Sequence, residues 1–188
     1  MDPQYTREEQ SLIDVWEEHI RYEFTIRDAA ATVATMSDDN HVNHVPVMTG
    51  GFGREEMLEF YGRYFIPKMP ADTRLTSVCR TVGQSRIIDE MIFAFTHDIE
   101  MDWMLPGVAP TGRWVEVPLV VMVQLREGKI VFERIYWDQA SVLVQVGLLE
   151  PRGLPVAGAE TARKVLDPTL PSNTLLRDAW RSSEGKPI

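Results

Sequence analysis

An α+β fold is predicted for this chain: a curved antiparallel sheet with N-terminal helices packed over its concave face. Three observations predict it. Apolar residues recur at helical spacing early in the chain, at Leu12, Ile13, Trp16, Ile20 and Phe24. Further on the period becomes two, with Phe93, Phe95, His97, Ile99, Met101 and Trp103 on one face of an extended run. The β-rich stretch, about residues 73–146, also carries a tight hairpin signal at Glu127-Gly128. A long sheet cannot bury its inner face alone, so the helices must lie across it. A strongly curved sheet covered in this way leaves a cone with one open end, which is a natural small-molecule pocket.

The elements follow in order. Thr6 with Glu9 fits a capping box that opens the first helix. A short Ala-rich helix over residues 27–36 stops before the turn cluster Ser37-Asp38-Asp39-Asn40. Residues 41–48 read as a short strand, which Pro46 demotes to an edge or irregular position. A glycine loop (Gly50, Gly51, Gly53) leads into a third helix, residues 54–65, that places Met57, Phe60, Tyr61 and Tyr64 on one face. Strands are expected over residues 73–82, 86–103, 113–125 and 129–137. Residues 140–146 then form a terminal helix or a strand end. From about Glu150 the chain turns rich in proline. Residues 6–149 are therefore read as the α+β domain and residues 150–188 as an arm with short helices at 159–166 and 173–180, the second capped by Ser172 or Asn173. Leu175, Leu176 and Trp180 are its expected anchor, on the domain or on a partner subunit.

Bulk properties exclude several classes. With 188 residues, 44% hydrophobic and 25% charged, the chain can bury a sizeable core and is not disordered. The formal net charge of −9, without a basic cluster, disfavours nucleic acid. Cys79 stands alone, so no internal disulfide forms. The start of the chain lacks an apolar signal core, and the longest apolar run is too short to span a bilayer, so a cytoplasmic protein with no membrane partner is expected.

Several residues are candidates for chemistry. Asp138 follows Arg134 and Tyr136 on one face of the last strand; beside an apolar cone its pKa would rise, which suits an acid/base. Its ordinary alternative is a strand-end aspartate that caps the segment from Ala140. His97 lies on the face read as concave and could move protons near neutral pH; alternatively it is a hydrogen-bonded core residue. If the faces were inverted, Asp98, Glu100 and Asp102 would line the pocket, but three carboxylates at period two would repel one another there. His44 is the better pocket candidate of the pair His41 and His44, which in a strand point to opposite faces. Tyr61, Trp103, Tyr136 and Arg134 are candidate substrate contacts. Glu116, which interrupts an apolar strand, must be exposed, paired (with Arg134, for example) or functional. No metal spacing such as HExxH and no phosphate loop is present, so no metal site is expected.

The segment from Gly107 to Leu149 resembles the SnoaL-like polyketide-cyclase group of the nuclear transport factor 2-like superfamily. The resemblance rests on Pro110-Thr111-Gly112, the hairpin Gly128-Lys129-Ile130, and Trp137-Asp138 followed by Gln145-Val146-Gly147, with Gly51–Tyr61 also fitting. The string from His97 to Trp103 together with Trp137 to Leu149 is similar to a carboxymethylenebutenolidase-like subgroup; Cys79, however, lacks the nucleophile-elbow glycines of a dienelactone hydrolase. The resemblance implies a cone-shaped, cystatin-like pocket, no cofactor and a homodimer. It implies Asp138 as the acid/base, with a partner histidine near Met101; His97 lies on the same face about 13 Å away.

The expected function is a cofactor-independent acid/base enzyme (cyclase, isomerase, dehydratase or hydrolase) acting on a small, largely apolar carbonyl compound. The alternative is a non-catalytic dimeric domain that binds a small molecule or a protein. One cavity shared by Asp138 and His97 would favour the enzyme; either residue sealed in a hydrogen bond away from a cavity would favour binding.

Overall fold

The computed structural model describes residues 5–186; within that range the side chains of Arg177, Asp178 and Trp180 lie outside the description, and so does the expected Trp180 anchor. The Thr6–Glu9 capping box is present and opens α1 (Arg7–Ile20). The helix continues as a π-helical turn over Arg21–Ile26, and Arg27 ends it in the left-handed region. Asp28 caps the short α2 (Ala29–Ala34) through the Ala31 N–H. The chain then enters β1 (Met36–His44) directly, through the residues expected to form a turn. The strand β2 (Thr49–Phe52) hairpins back on β1, and α3 (Gly53–Glu59) runs into a second π-helical turn, Phe60–Phe65.

Four further strands complete the sheet: β3 (Arg74–Val82), β4 (Arg86–Thr96), β5 (Trp114–Arg126) and β6 (Lys129–Trp137). Their order is β2-β1-β6-β5-β4-β3, an open sheet that does not close into a barrel. It differs from the expected antiparallel sheet at one place. The pair β1 with β6 is parallel, since β1 enters the sheet from the helical layer rather than through a hairpin. The fourth strand also ends sooner than expected, at Thr96, and residues 97–113 form a loop. There Lys68 pairs with Glu100 at 2.9 Å and Asp102 at 3.4 Å, so these acids are held by a cation on the outside.

Burial alternates strictly along β5: Val115, Val117, Leu119, Val121 and Val123 face the core beneath the helices. In β6 the alternation is broken. Leu125 pairs with Ile130 but Gln124 pairs with Phe132, so Val131 is an extra residue, a β-bulge. Inward positions before the bulge have even numbers and those after it have odd numbers. Ile130 is buried, and so are Glu133, Ile135 and Trp137, while Arg134, Tyr136 and Asp138 are exposed. The expected concave row Arg134–Tyr136–Asp138 is therefore the convex row.

Beyond β6, α4 (Gln139–Gln145) and α5 (Glu160–Leu166) pack on the outer side of β5. Ala162 of α5 is buried there, and Arg163 forms the ion pair with Glu116, at 2.7 Å. Glu116 is thus paired with the arm and not with Arg134. The arm ends in α6 (Arg177–Ser183); Leu175 and Leu176 just before it are about half exposed and do not anchor it on the domain. Among the described residues, no helix is long and apolar enough to cross a membrane.

Candidate functional site

The cavity lies between α1 with its π turn, the second π turn, and the concave face of β1, β6, β5 and β4. Its walls are mostly rings and aliphatic chains: Trp16, Phe24, Phe65, Phe93, Trp103 and Leu119 are representative, around a narrow cavity of about 50 Å³. Both π turns contribute to it, Glu23 and Phe24 from the first, Tyr61 and Phe65 from the second. Such turns are rare and frequent at functional sites because the extra residue re-aims side chains.

Four polar side chains meet at one end. His19, one turn before Glu23 on the same helix face, is fully buried, stacks on Trp16 at 5.6 Å and directs Nε2 at Glu23 Oε1, 3.1 Å away. The bulge in β6 turns Glu133 inward, and its Oε1 lies 3.0 Å from the same Nε2. Tyr61 Oη sits 3.2 Å from Nε2 and donates to Glu133 Oε1 at 3.5 Å. On the far side, Nδ1 meets Thr35 Oγ1 at 2.6 Å. The Thr35 hydroxyl donates its own hydrogen to the Thr32 carbonyl, so it can only accept from His19, and Nδ1 carries a hydrogen.

Nδ1 carries a hydrogen and Nε2 faces an oxygen of each acid, which together favour the charged ring. Burial by itself would depress the His19 pKa, but the Glu133 and Glu23 charges outweigh it and lift it to about 10. Burial raises the Glu23 pKa, opposed by His19. It also raises that of Tyr61, so the phenol stays protonated. These contacts engage only Oε1 of each carboxylate. His19, Glu23 and Glu133 offer ligand atoms within 4.8 Å of one another and could hold a metal ion, a set that the sequence reading did not foresee.

The eight candidates from sequence separate into three places. His44, Tyr61 and Trp103 line the cavity. His44 Nδ1 meets the Thr49 carbonyl at 3.3 Å, and burial lowers its pKa to about 4, so it is neutral with Nε2 as an acceptor. Trp103 Nε1 is buried without a partner among the described residues. His97 is buried in the 97–113 loop, off the cavity wall. Its Nδ1 meets Thr111 Oγ1 at 3.2 Å, Nε2 has no partner among the described residues, and burial lowers its pKa. Asp138, Glu116, Arg134 and Tyr136 are on the outer side. Asp138 is the N-cap of α4, accepting from Ala140 N at 2.9 Å and Ser141 N at 3.2 Å. The pair Asp138 and His97 does not share a cavity.

Sequence reasoning missed His19, Glu23 and Glu133. A signal existed on α1, where Trp16, His19 and Glu23 follow at i, i+3 and i+7, on the buried stripe. None existed for Glu133, because the sequence does not mark the bulge.

No family model and no curated protein matches this sequence. Solved structures do match. A Jannaschia sp. CCS1 protein assigned as a SnoaL-like polyketide cyclase is 17% identical, with a TM-score of 0.60 over 79% of this chain and 99% of its own. A nuclear transport factor 2-like protein of unknown function from Burkholderia pseudomallei K96243 is 17% identical, with a TM-score of 0.57 over 73% and 98%. SalBIII, an epoxide hydrolase/cyclase-like enzyme in pyran ring formation in the polyether salinomycin, is 18% identical, with a TM-score of 0.54 over 71% and 95%. At these identities the likeness is one of fold. The chain has the nuclear transport factor 2-like fold.

Proposed function

We propose that this chain is an enzyme that moves protons on a small, largely apolar carbonyl compound held in the cavity. The observation that carries the proposal is a fully buried histidine whose Nε2 lies 3.1 Å from Glu23 and 3.0 Å from Glu133, in an otherwise apolar chamber. Glu133, with Oε2 left for a ligand, is the general base. His19 returns the proton through Nε2, and its charge stabilises the carboxylate between turnovers. The unpaired Trp103 N–H donates to the substrate oxygen on which negative charge develops. The apolar walls exclude water and strengthen each of these interactions. Cyclisation, isomerisation, dehydration and water addition all begin with such a transfer, and SnoaL-like and cyclase-like proteins of the same fold are consistent with it.

The sealing of Asp138 in a helix cap counts against the acid/base pair that the sequence suggested, and the enzyme reading now stands on the inner cluster instead. A cavity that only binds a ligand would contain the same rings. It would have no use for a proton held ready between two acids.

The test is solvent deuterium exchange into a panel of cyclic enones, lactones and polyketide-like carbonyl compounds, with Glu133→Gln and His19→Gln beside the wild type. Exchange should fall by about a hundredfold or more in each variant. Exchange at the wild-type rate in both would sink the proposal.

A further inference from the structure

With both acids ionised the charges lining this cavity do not balance, and without a ligand the proton that burial favours on Glu23 meets the difference. Glu23 and Glu133 are each at most 5% exposed, and the His19 imidazolium supplies one positive charge against their two negative ones. Among the described residues, no Lys or Arg ion pair reaches either carboxylate. The third buried acid of the concave face illustrates the contrast. Asp89 accepts from Arg80 through both guanidinium arms, at 2.7 and 2.9 Å, and from Trp16 Nε1 at 2.7 Å, so its charge is fully met by the protein. An uncompensated carboxylate in an apolar chamber costs several kcal/mol unless a proton or another cation meets it.

The remaining walls are suited to one kind of cation. Phe65 and Trp103 lie 4.9 Å apart between centroids, Phe93 and Trp103 5.5 Å, and Tyr61 and Phe65 5.5 Å at 90°, so that a packed set of rings lines the space. Trp16 and Phe24 close it on the helical side. Ring faces attract a diffuse, weakly hydrated positive charge and at the same time accommodate its alkyl groups. A bare metal ion would gain nothing from the rings, and could enter the cluster only by displacing the hydrogen on His19 Nε2.

We infer that the cavity selects a ligand bearing an aliphatic ammonium group, with the charge against the Glu23 and Glu133 carboxylates and its alkyl substituents among the rings. The inference rests on the cavity being the substrate site proposed above, and it narrows the substrate to an ammonium-bearing carbonyl compound. One positive charge balances the cluster without stripping His19 of its proton, so the acid and the base keep their roles while the ligand is bound.

The test compares choline with 3,3-dimethylbutan-1-ol, its uncharged carbon isostere, by calorimetry and by quenching of the cavity tryptophans in the intact protein. Choline should bind at least about tenfold more tightly. That preference should disappear in Glu133→Gln and shrink in Glu23→Gln, with thermal melting used to confirm that both variants are folded. Equal or tighter binding of the isostere, or no response to choline, would overturn the inference. So would Glu133-dependent stabilisation by zinc or manganese alone. None of these results touches the proton-transfer reading, which fails separately if deuterium exchange is unchanged in Glu133→Gln.

Discussion

Replacing Glu133 by Gln removes one of the two carboxylates that hold His19 charged, while keeping the side chain's shape. The size of the effect follows from the geometry. Burial lowers the imidazole pKa, yet its value stands at about 10 against an ordinary 6.5, so the two acids together supply the net rise of about 3.5 and also whatever burial removes. They sit at 3.0 and 3.1 Å from the same nitrogen, with the Glu133 charge the larger influence. Removing Glu133 should therefore lower the midpoint by about one pH unit or more, worth about 1.4 kcal/mol or more. Ring nitrogen NMR across a pH series reads this directly. The wild-type ring should stay doubly protonated well above pH 7, and the variant ring should titrate about one pH unit or more below it. A wild-type midpoint near 6.5, or a midpoint that Glu133→Gln leaves in place, would refute the charge account of the cavity.

Other expectations concern stability and the outer side. Asp138→Ala removes an N-cap and should cost about 1 kcal/mol in urea denaturation, without loss of deuterium exchange. Gly50 has φ +141°, and a Cβ there would overlap the Val42 carbonyl, so Gly50→Ala should cost more than about 2 kcal/mol and loosen the β1–β2 hairpin by hydrogen exchange. His44 and His19 work in opposite directions as pH changes. The folded pKa of His44 is depressed, so its contribution is complete above pH 6.5 and is lost as pH falls toward 4, at about 3 kcal/mol for the full shift. That of His19 is raised, so its contribution is complete below pH 6.5 and is lost as pH rises through about 10. Denaturation midpoints should peak between these limits, and His44→Phe should flatten the acid side only.

How much of this was legible in the sequence depended on whether a pattern repeats. The α1 stripe and the Thr6–Glu9 box, the hairpin at Glu127-Gly128 and the strict alternation of β5 all gave their positions away, because each depends on neighbours a few residues apart. His44, Tyr61 and Trp103 were readable as pocket residues for the same reason. The inner row of β6 was not. One extra residue at Val131 inverts every side chain after it, and an apolar, twofold-mixed strand such as KIVFERIYW reads equally well in either phase. The π turns that re-aim Glu23 and Tyr61 are also invisible locally, since their backbone follows from packing against the sheet. His97 was misplaced because the alternation continues in the letters after the strand itself stops at Thr96.

Glu133 and Asp138 lie close together in the chain on opposite sides of the sheet, and the rate of proton transfer in Glu133→Gln beside Asp138→Asn is the most direct measurement of where the chemistry occurs. With the substrate found in the exchange panel, kcat/KM should fall by about a hundredfold or more in Glu133→Gln and stay within about threefold of wild type in Asp138→Asn. A collapse in Asp138→Asn with Glu133→Gln unaffected would move the site to the outer face and contradict the account.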